Sequence, residues 1–408
     1  MNSGKWLRRF LLFLTLTLTL TLSVRSDDFF KVKDRVIAEA KWKLGFLYLT
    51  PLMVLQNVGY TSSIYTYQEE EHPDWTGDIG LGLRTSAIAA NRFILEAEDL
   101  PIYSFYLKNK EYRTWSNRFE ASVYSYAGSF NIKGGFRQHD LYQRPQLEFS
   151  RPYHYSENQW STEVDIGKRS SIFVTAYASF NKLDYEEDPY FGSYNLAERL
   201  NHRENTIGLR LNKPVFTETV IYAKYERTDY KFEQSLDRNT KAQLLALGVQ
   251  FPEIGALKGS FQIGIKRFQP DNPLFQDTQR ANGRGDVRFT LADRVRLNVF
   301  YEIATRFSYY ESDIFYDDYS FGGGAEVYLT RFLKAGGSYR DGRLKYHSFI
   351  DLALTRNDRI RQQEYHLAVP FIGKTSIGLS YNVYRLTSDV MKLDYTRSFW
   401  GGFLSYEF

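Results

Sequence analysis

The chain has 408 residues, 52 Lys+Arg against 48 Asp+Glu, 17% aromatic residues and no cysteine. Four of the bases (Lys5, Arg8, Arg9, Arg25) and none of the acids fall in the first 26 residues, so the remainder balances at 48 against 48 and carries no electrostatic signature of nucleic-acid binding. The lack of cysteine excludes a lipoprotein anchor, disulfides and thiolate metal sites, and the negative mean hydropathy, with no later apolar run of spanning length, excludes a bundle of transmembrane helices.

Residues 1–26 read as a secretory signal: a basic start, then an apolar stretch from Phe10 to Leu22, then short polar residues. That stretch falls short of the roughly 20 residues needed to cross a bilayer. Val24 and Ser26 are small enough for the positions a signal peptidase reads, so cleavage is expected after Ser26. Residues 27–46 form a short periplasmic segment, with Phe29, Val32, Val36 and Ile37 at near-helical spacing, too small to plug a wide barrel.

From Leu47 to Phe408 the dominant pattern is two-residue alternation in segments of about ten residues, the length of a tilted membrane-spanning strand. Ile221, Ala223 and Tyr225 oppose Tyr222, Lys224 and Glu226; Leu297, Val299 and Tyr301 oppose Arg296, Asn298 and Glu302. Segments around Ile79, Val164 and Phe261 repeat the pattern. Long connections (Thr61 to Asp74, Asp140 to Asn158, Tyr185 to Asn201, Pro270 to Gly283, Asp341 to Arg359) alternate with tight turns such as Ala127 to Ser129 and Ala292 to Arg294. Nine of the eleven prolines fall in predicted connections; Pro51 and Pro101 do not, and mark either bulges or misdrawn strands. The predicted fold is all-β, a transmembrane antiparallel up-and-down β-barrel of about 18 strands, with 16 the alternative count. Its place is the bacterial outer membrane. The chain closes with Gly402, Leu404, Tyr406 and Phe408 in one register, and this terminal aromatic strand resembles the signal read by the barrel-assembly machinery.

At the start of the barrel, LYLTP (Leu47 to Pro51) is followed by GYTSSIY (Gly59 to Tyr65). This resembles the opening of the β-barrel porin-2 group of outer-membrane proteins, whose first hairpin usually reads Gly-Tyr-Asp-Ser-Asn. Gly59, Tyr60 and Ser62 match, while Thr61 and Ser63 replace the Asp and Asn. The resemblance implies a porin-like barrel and, as for many members of that group, an association with exopolysaccharide export and its components.

The leading functional expectation is a passive channel for hydrophilic solutes, because about 18 strands enclose a water-filled lumen. By parity the wall residues are Arg84, Glu96, Glu98, Glu120, Glu163, Asp165, Arg210, Lys224, Glu226, Lys266, Asp286, Arg288, Arg296, Glu302 and Glu364. Charges of both signs solvate an interior face and pair across strands even without a substrate. Inward Tyr124, Tyr222 and Tyr384 can stack on sugar rings or fill space beside glycines. A surface or adhesin barrel acting through its loops is the alternative. The acidic aromatic stretches Asp184 to Tyr194 and Glu311 to Ser320 are read as such loops, without calcium-loop spacing. An outer-membrane hydrolase ranks last, since the six histidines form neither a HExxH pair nor a GxSxG setting. His366 is expected to pair with Glu364 in the lumen. No catalytic residue, metal ligand or cofactor is assigned. Outer-membrane lipid and lipopolysaccharide are the expected surroundings.

Overall fold

The computed structural model describes residues 27–64, 72–144, 149, 152–167, 171–186, 195–216, 219–251, 256–273, 275–291, 294–310, 313–330, 332–348, 356–372, 375–390 and 394–406. The predicted signal segment and Phe408 lie outside the described residues. After a helix, α1 (Asp27–Glu39), and a three-residue strand, β1 (Trp42–Leu44), eighteen long strands run from β2 (Leu47–Thr61) to β19 (Tyr395–Tyr406). Each pairs antiparallel with its neighbour in sequence, and β19 returns to β2, with Trp400 opposite Tyr60 and Gly402 opposite Val58. The sheet is a closed barrel, so every strand edge is used.

Alternation along the strands produces two unlike faces. Outside, Leu81, Leu247, Val299 and Leu379 are 63–70% exposed, an arrangement that water would penalise and hydrocarbon does not. Aromatic pairs flank this apolar band on the outer face: Tyr60 with Trp75, Tyr103 with Trp115, and Tyr381 stacked on Trp400 at 3.9 Å. Such rings sit at membrane interfaces because one edge is wet and the other apolar. Together with barrel closure, this lipid-facing belt places the chain in the bacterial outer membrane.

The seam between β2 and β19 depends on a glycine. A Cβ on Gly59 would lie 1.9 Å from the Trp400 carbonyl oxygen and 2.3 Å from the Gly401 Cα, so only hydrogen fits there. Both unresolved prolines belong to strands. Pro51 pairs with Leu83, and its other edge lies between the last β1 partner at Leu49 and the first β19 partner at Leu55. Pro101 pairs with Asn117 where the register to β3 (Asp74–Ala89) is interrupted. Each sits where a ladder hydrogen bond is absent on one side.

Strands extend further toward the long-loop rim than alternation alone indicates. The connections after Asp140, Pro270 and Asp341 shorten to residues 144–152, 271–277 and 349–356. Pro214, Pro270 and Pro370 lie in strands, two of them beside register shifts. Asp313–Ser320, expected as loop, opens β15 (Asp313–Thr330). Its alternation is masked because inward and outward residues alike are aromatic or acidic above the membrane. Most of Asp184 to Tyr194 lies outside the described residues.

Candidate functional site: the barrel lumen

The lumen is built in three tiers. At the short-turn end, α1 lies against the inner wall. Phe29 and Val36 are buried and pack on Ile94, with Tyr48, Ile88, Tyr124 and Tyr126 around them. Its polar side is tied to the wall: Arg35 meets Glu96 at 2.6 Å, Glu39 meets Arg84 at 2.9 Å, and Lys33 donates to Asn91. Ile37, expected on the apolar stripe, is instead 47% exposed. The wall offers an apolar patch only about one helix wide, so a neighbouring stripe residue stays wet.

The middle tier holds the sequence-predicted wall residues, at strand positions that alternate with the lipid-facing ones. Arg84 also bonds Glu98 at 2.8 Å; Glu120 forms an ion pair with Arg137 at 3.2 Å and faces His139; Glu163 faces Arg210 at 3.6 Å. Lys224 pairs with Glu226, which also accepts the Tyr177 hydroxyl; Asp286 pairs with Arg288; Arg306 reaches Glu302. Asp165 accepts from the Thr175 hydroxyl at 2.6 Å, and Lys266 donates to the Tyr230 hydroxyl at 2.9 Å. Glu364 has no ion pair among the described residues. His366 sits 3.3 Å from Glu326, not beside Glu364. Residues two apart on one strand point the same way but stand almost 7 Å apart along it, whereas Glu326 reaches His366 from two strands away.

Glu326 is the centre of a network that parity reading left out. Arg296, Lys334 and His366 surround it at 3.3–3.5 Å. Asp318, fully buried, lies 3.6 Å from both Arg306 and Arg340. Both acids are on β15: Asp318 falls in the stretch expected as loop, and Glu326 follows Gly322, Gly323 and Gly324, which carry no side chains to show alternation. The inward tyrosines fill space beside glycines: a Cβ on Gly248 would come 2.4 Å from Tyr222, and one on Gly208 2.2 Å from Tyr177. Tyr124 lies under Lys133, and Tyr384 is buried against Tyr395.

The upper tier is aromatic. Three inward clusters form at the long-loop end, including Phe149 with Tyr309, Phe268 with Phe315, and Tyr316 with Tyr346 and Tyr384. Phe149 lies between β6 (Phe130–Gln143) and β7 (Tyr153–Ile166); Tyr309 lies between β14 (Val295–Phe307) and β15. These loops are eight strands apart on a ring of eighteen, nearly opposite, yet the two rings are 5.6 Å apart. The β14–β15 loop is held there from other sides too. Buried Arg238 donates to the Ser308 and Tyr310 carbonyls, Arg356 stacks on Tyr310, and Phe307 packs on Tyr230 and Phe232. The lumen is therefore bridged across its extracellular half.

At the C-terminus, Gly402 and Leu404 share the outward register of Trp400, opposite Leu379 and Ile377 on β18 (Thr375–Ser388). Tyr406 pairs with Thr375 in the backbone ladder.

No family model matches the chain, and neither does any curated protein. Among solved structures, it is similar to OccK2 (OpdF) of Pseudomonas aeruginosa, solved in complex with glucuronate, at 11% identity and a TM-score of 0.50, over 89% of this chain and 98% of that one. It is similar to the outer membrane protein opdK of the same organism at 10% identity and a TM-score of 0.50, over 89% and 99%. A third likeness, to the FrpB iron transporter of Neisseria meningitidis, has a TM-score of 0.43 and 11% identity, and this chain spans 62% of that one. The likeness to the two Pseudomonas structures is one of fold, and that fold is the outer-membrane β-barrel.

Proposed function

We propose that the barrel is a passive channel for small hydrophilic solutes, narrowed at its extracellular half. The observation that carries this reading is the middle tier, an inner wall of paired charges of both signs within a closed ring of eighteen strands. Such a wall is solvated and unspecific, and rings of this size leave an aqueous lumen. Beside α1, a polar cavity between Arg35 on the helix and Lys133, Glu163 and Arg210 on the wall supplies a path at the periplasmic mouth.

The solute class follows from the upper tier. Phe149 and Tyr309 meet across the lumen, which favours a compact solute over a bulky polymer. Exopolysaccharide export therefore rests on the sequence resemblance alone. His366 beside Glu326, Arg296 and Lys334 belongs to a charge network rather than a hydrolytic dyad, which favours transport over hydrolysis.

Refolded protein in planar bilayers tests the proposal. Discrete conductance steps, with liposome swelling by monosaccharides faster than by oligosaccharides, are the expected result. Absence of conductance at every voltage, with no swelling by any sugar, would overturn it.

A further inference from the structure

We infer that the outer wall of β14–β18 carries a docking groove for lipopolysaccharide, in which unneutralised arginines hold its phosphates and an adjoining aromatic strip takes an acyl chain. The inference rests on the outer-membrane location and is independent of whether the lumen conducts.

The register sets the arrangement. On β16 (Leu333–Ser348), β17 (Asn357–Ile372) and β18, outward residues in the membrane band end in tyrosines: Tyr339, Tyr365 and Tyr381. Beyond them, toward the long loops, the same face carries Arg343, Lys345, Arg359, Arg361 and Arg385. Arg343 stands directly opposite Arg359, and Arg361 directly opposite Arg385. Like charges in directly opposed positions destabilise a sheet, so two such pairs side by side need an anion.

The protein supplies little of one. Asp341 stands directly opposite Arg361, but its carboxylate is engaged by Arg359 through two bonds of 3.1 and 2.5 Å. Asp317 is in register with Lys345, but its carboxylate is taken by His347 at 2.7 Å and by Thr305. Asp389 accepts from Asn357. Among the described residues, Arg343, Lys345, Arg361 and Arg385 make no ion pair, and the Arg361 Nε is buried without a hydrogen-bond partner.

A neighbouring stretch of the same wall shows that this is not how the barrel treats bases at that height. On β10 (Thr219–Phe232), β11 (Thr240–Gln250) and β12 (Leu257–Pro270), outward bases are matched. Arg227 meets Asp229, Lys231 and Lys241 share Asp271, and Arg267 meets Asp277 at 2.6 Å. The unmatched set also adjoins a groove lined on one side by Tyr301, Ile303, Tyr319 and Phe321 and on the other by Arg343, Lys345 and Arg359, with Asp341 and Asp389 among the lining. A phosphorylated sugar bearing several acyl chains satisfies both halves: guanidinium forks pair with phosphate oxygens while a chain lies on the aromatic strip.

The test titrates the refolded barrel in detergent with bisphosphorylated, hexa-acylated lipid A and follows the adduct by native mass spectrometry. The R343Q/R361Q/R385Q variant should bind about tenfold or more weakly, as loss of charge-assisted bonds implies. Dephosphorylated lipid A should bind the unaltered protein as weakly, and Arg267→Gln on β12, where the arginine is already paired with Asp277, should leave binding unchanged. Equal affinity of the unaltered protein for both lipids would overturn the inference. So would full binding by the folded triple variant, or an equal loss in Arg267→Gln.

Discussion

Replacing Tyr309 with alanine removes the ring that meets Phe149 across the lumen. Tyr309 is 4% exposed, stacks on Tyr310 at 4.3 Å and shares a hydroxyl bond with it at 2.9 Å. Truncating a buried aromatic costs about 3–5 kcal/mol where the surroundings cannot collapse, and a loop cluster beside water relaxes enough to put this site near the lower end. The barrel does not bear that cost, because its strands are joined by continuous ladders that Tyr309 does not enter. It falls instead on the equilibrium between the loop packed across the lumen and the loop withdrawn. A shift of about 3 kcal/mol moves that equilibrium by roughly a hundredfold. Single-channel recording of Tyr309→Ala should therefore show long, large openings where the unaltered protein shows mainly a low-conductance state. Tyr225→Ala, on the lipid face and 48% exposed, is the matched control and should behave as the unaltered protein. Identical open probability and conductance in Tyr309→Ala and the unaltered protein would refute the bridge as the constriction.

Glu326→Gln leaves Arg296, Lys334 and His366 without their shared acid, and the reversal potential in a salt gradient should shift toward anion preference; an unchanged potential would remove Glu326 from the conducting path. Arg35→Ala breaks the 2.6 Å contact with Glu96 and should raise hydrogen exchange across α1 while leaving the barrel amides protected. Gly59→Val forces a side chain into the Trp400 carbonyl and Gly401, and should abolish the heat-modifiable folded band on gels. Asp271, in the loop after β12, is held below its ordinary carboxylate range by hydrogen bonds from Lys231 and then Lys241, with the lysine charges adding to the effect. Its folded value is depressed, so its contribution is complete above the unfolded value of 3.8 and disappears as pH falls through the lower folded value. Asp271→Asn should thus lower the urea midpoint at neutral pH by an amount equivalent to less than about 1 kcal/mol, and the difference from the unaltered protein should vanish in strong acid.

The inner wall was legible because a strand has a period of two. Once Leu83 is known to face lipid, Arg84 must face the lumen, and the same holds for Lys224 beside Tyr225 and Arg296 beside Leu297. Failures came where that contrast disappears. In Ile314 to Ser320 both faces carry aromatic or acidic residues above the membrane, so that stretch reads as a loop and Asp318 goes with it, while three glycines in a row hide the alternation just before Glu326. Prolines misled in the opposite direction: Pro214 and Pro370 looked like breaks but sit at strand irregularities that tolerate a missing donor.

Local alternation by itself determined the barrel, its approximate strand number, its two rims and the direction of each wall residue, since each is a property of a strand and its immediate neighbours. Tertiary structure alone decided which charges meet, where α1 lies and that the lumen is bridged. His366 finds Glu326 rather than Glu364 because partners are set by register between strands, not by spacing within one. The helix enters the mouth because Phe29 and Val36 find Ile94 there. Phe149 and Tyr309 belong to loops distant in sequence, and only closure of the ring brings those loops face to face.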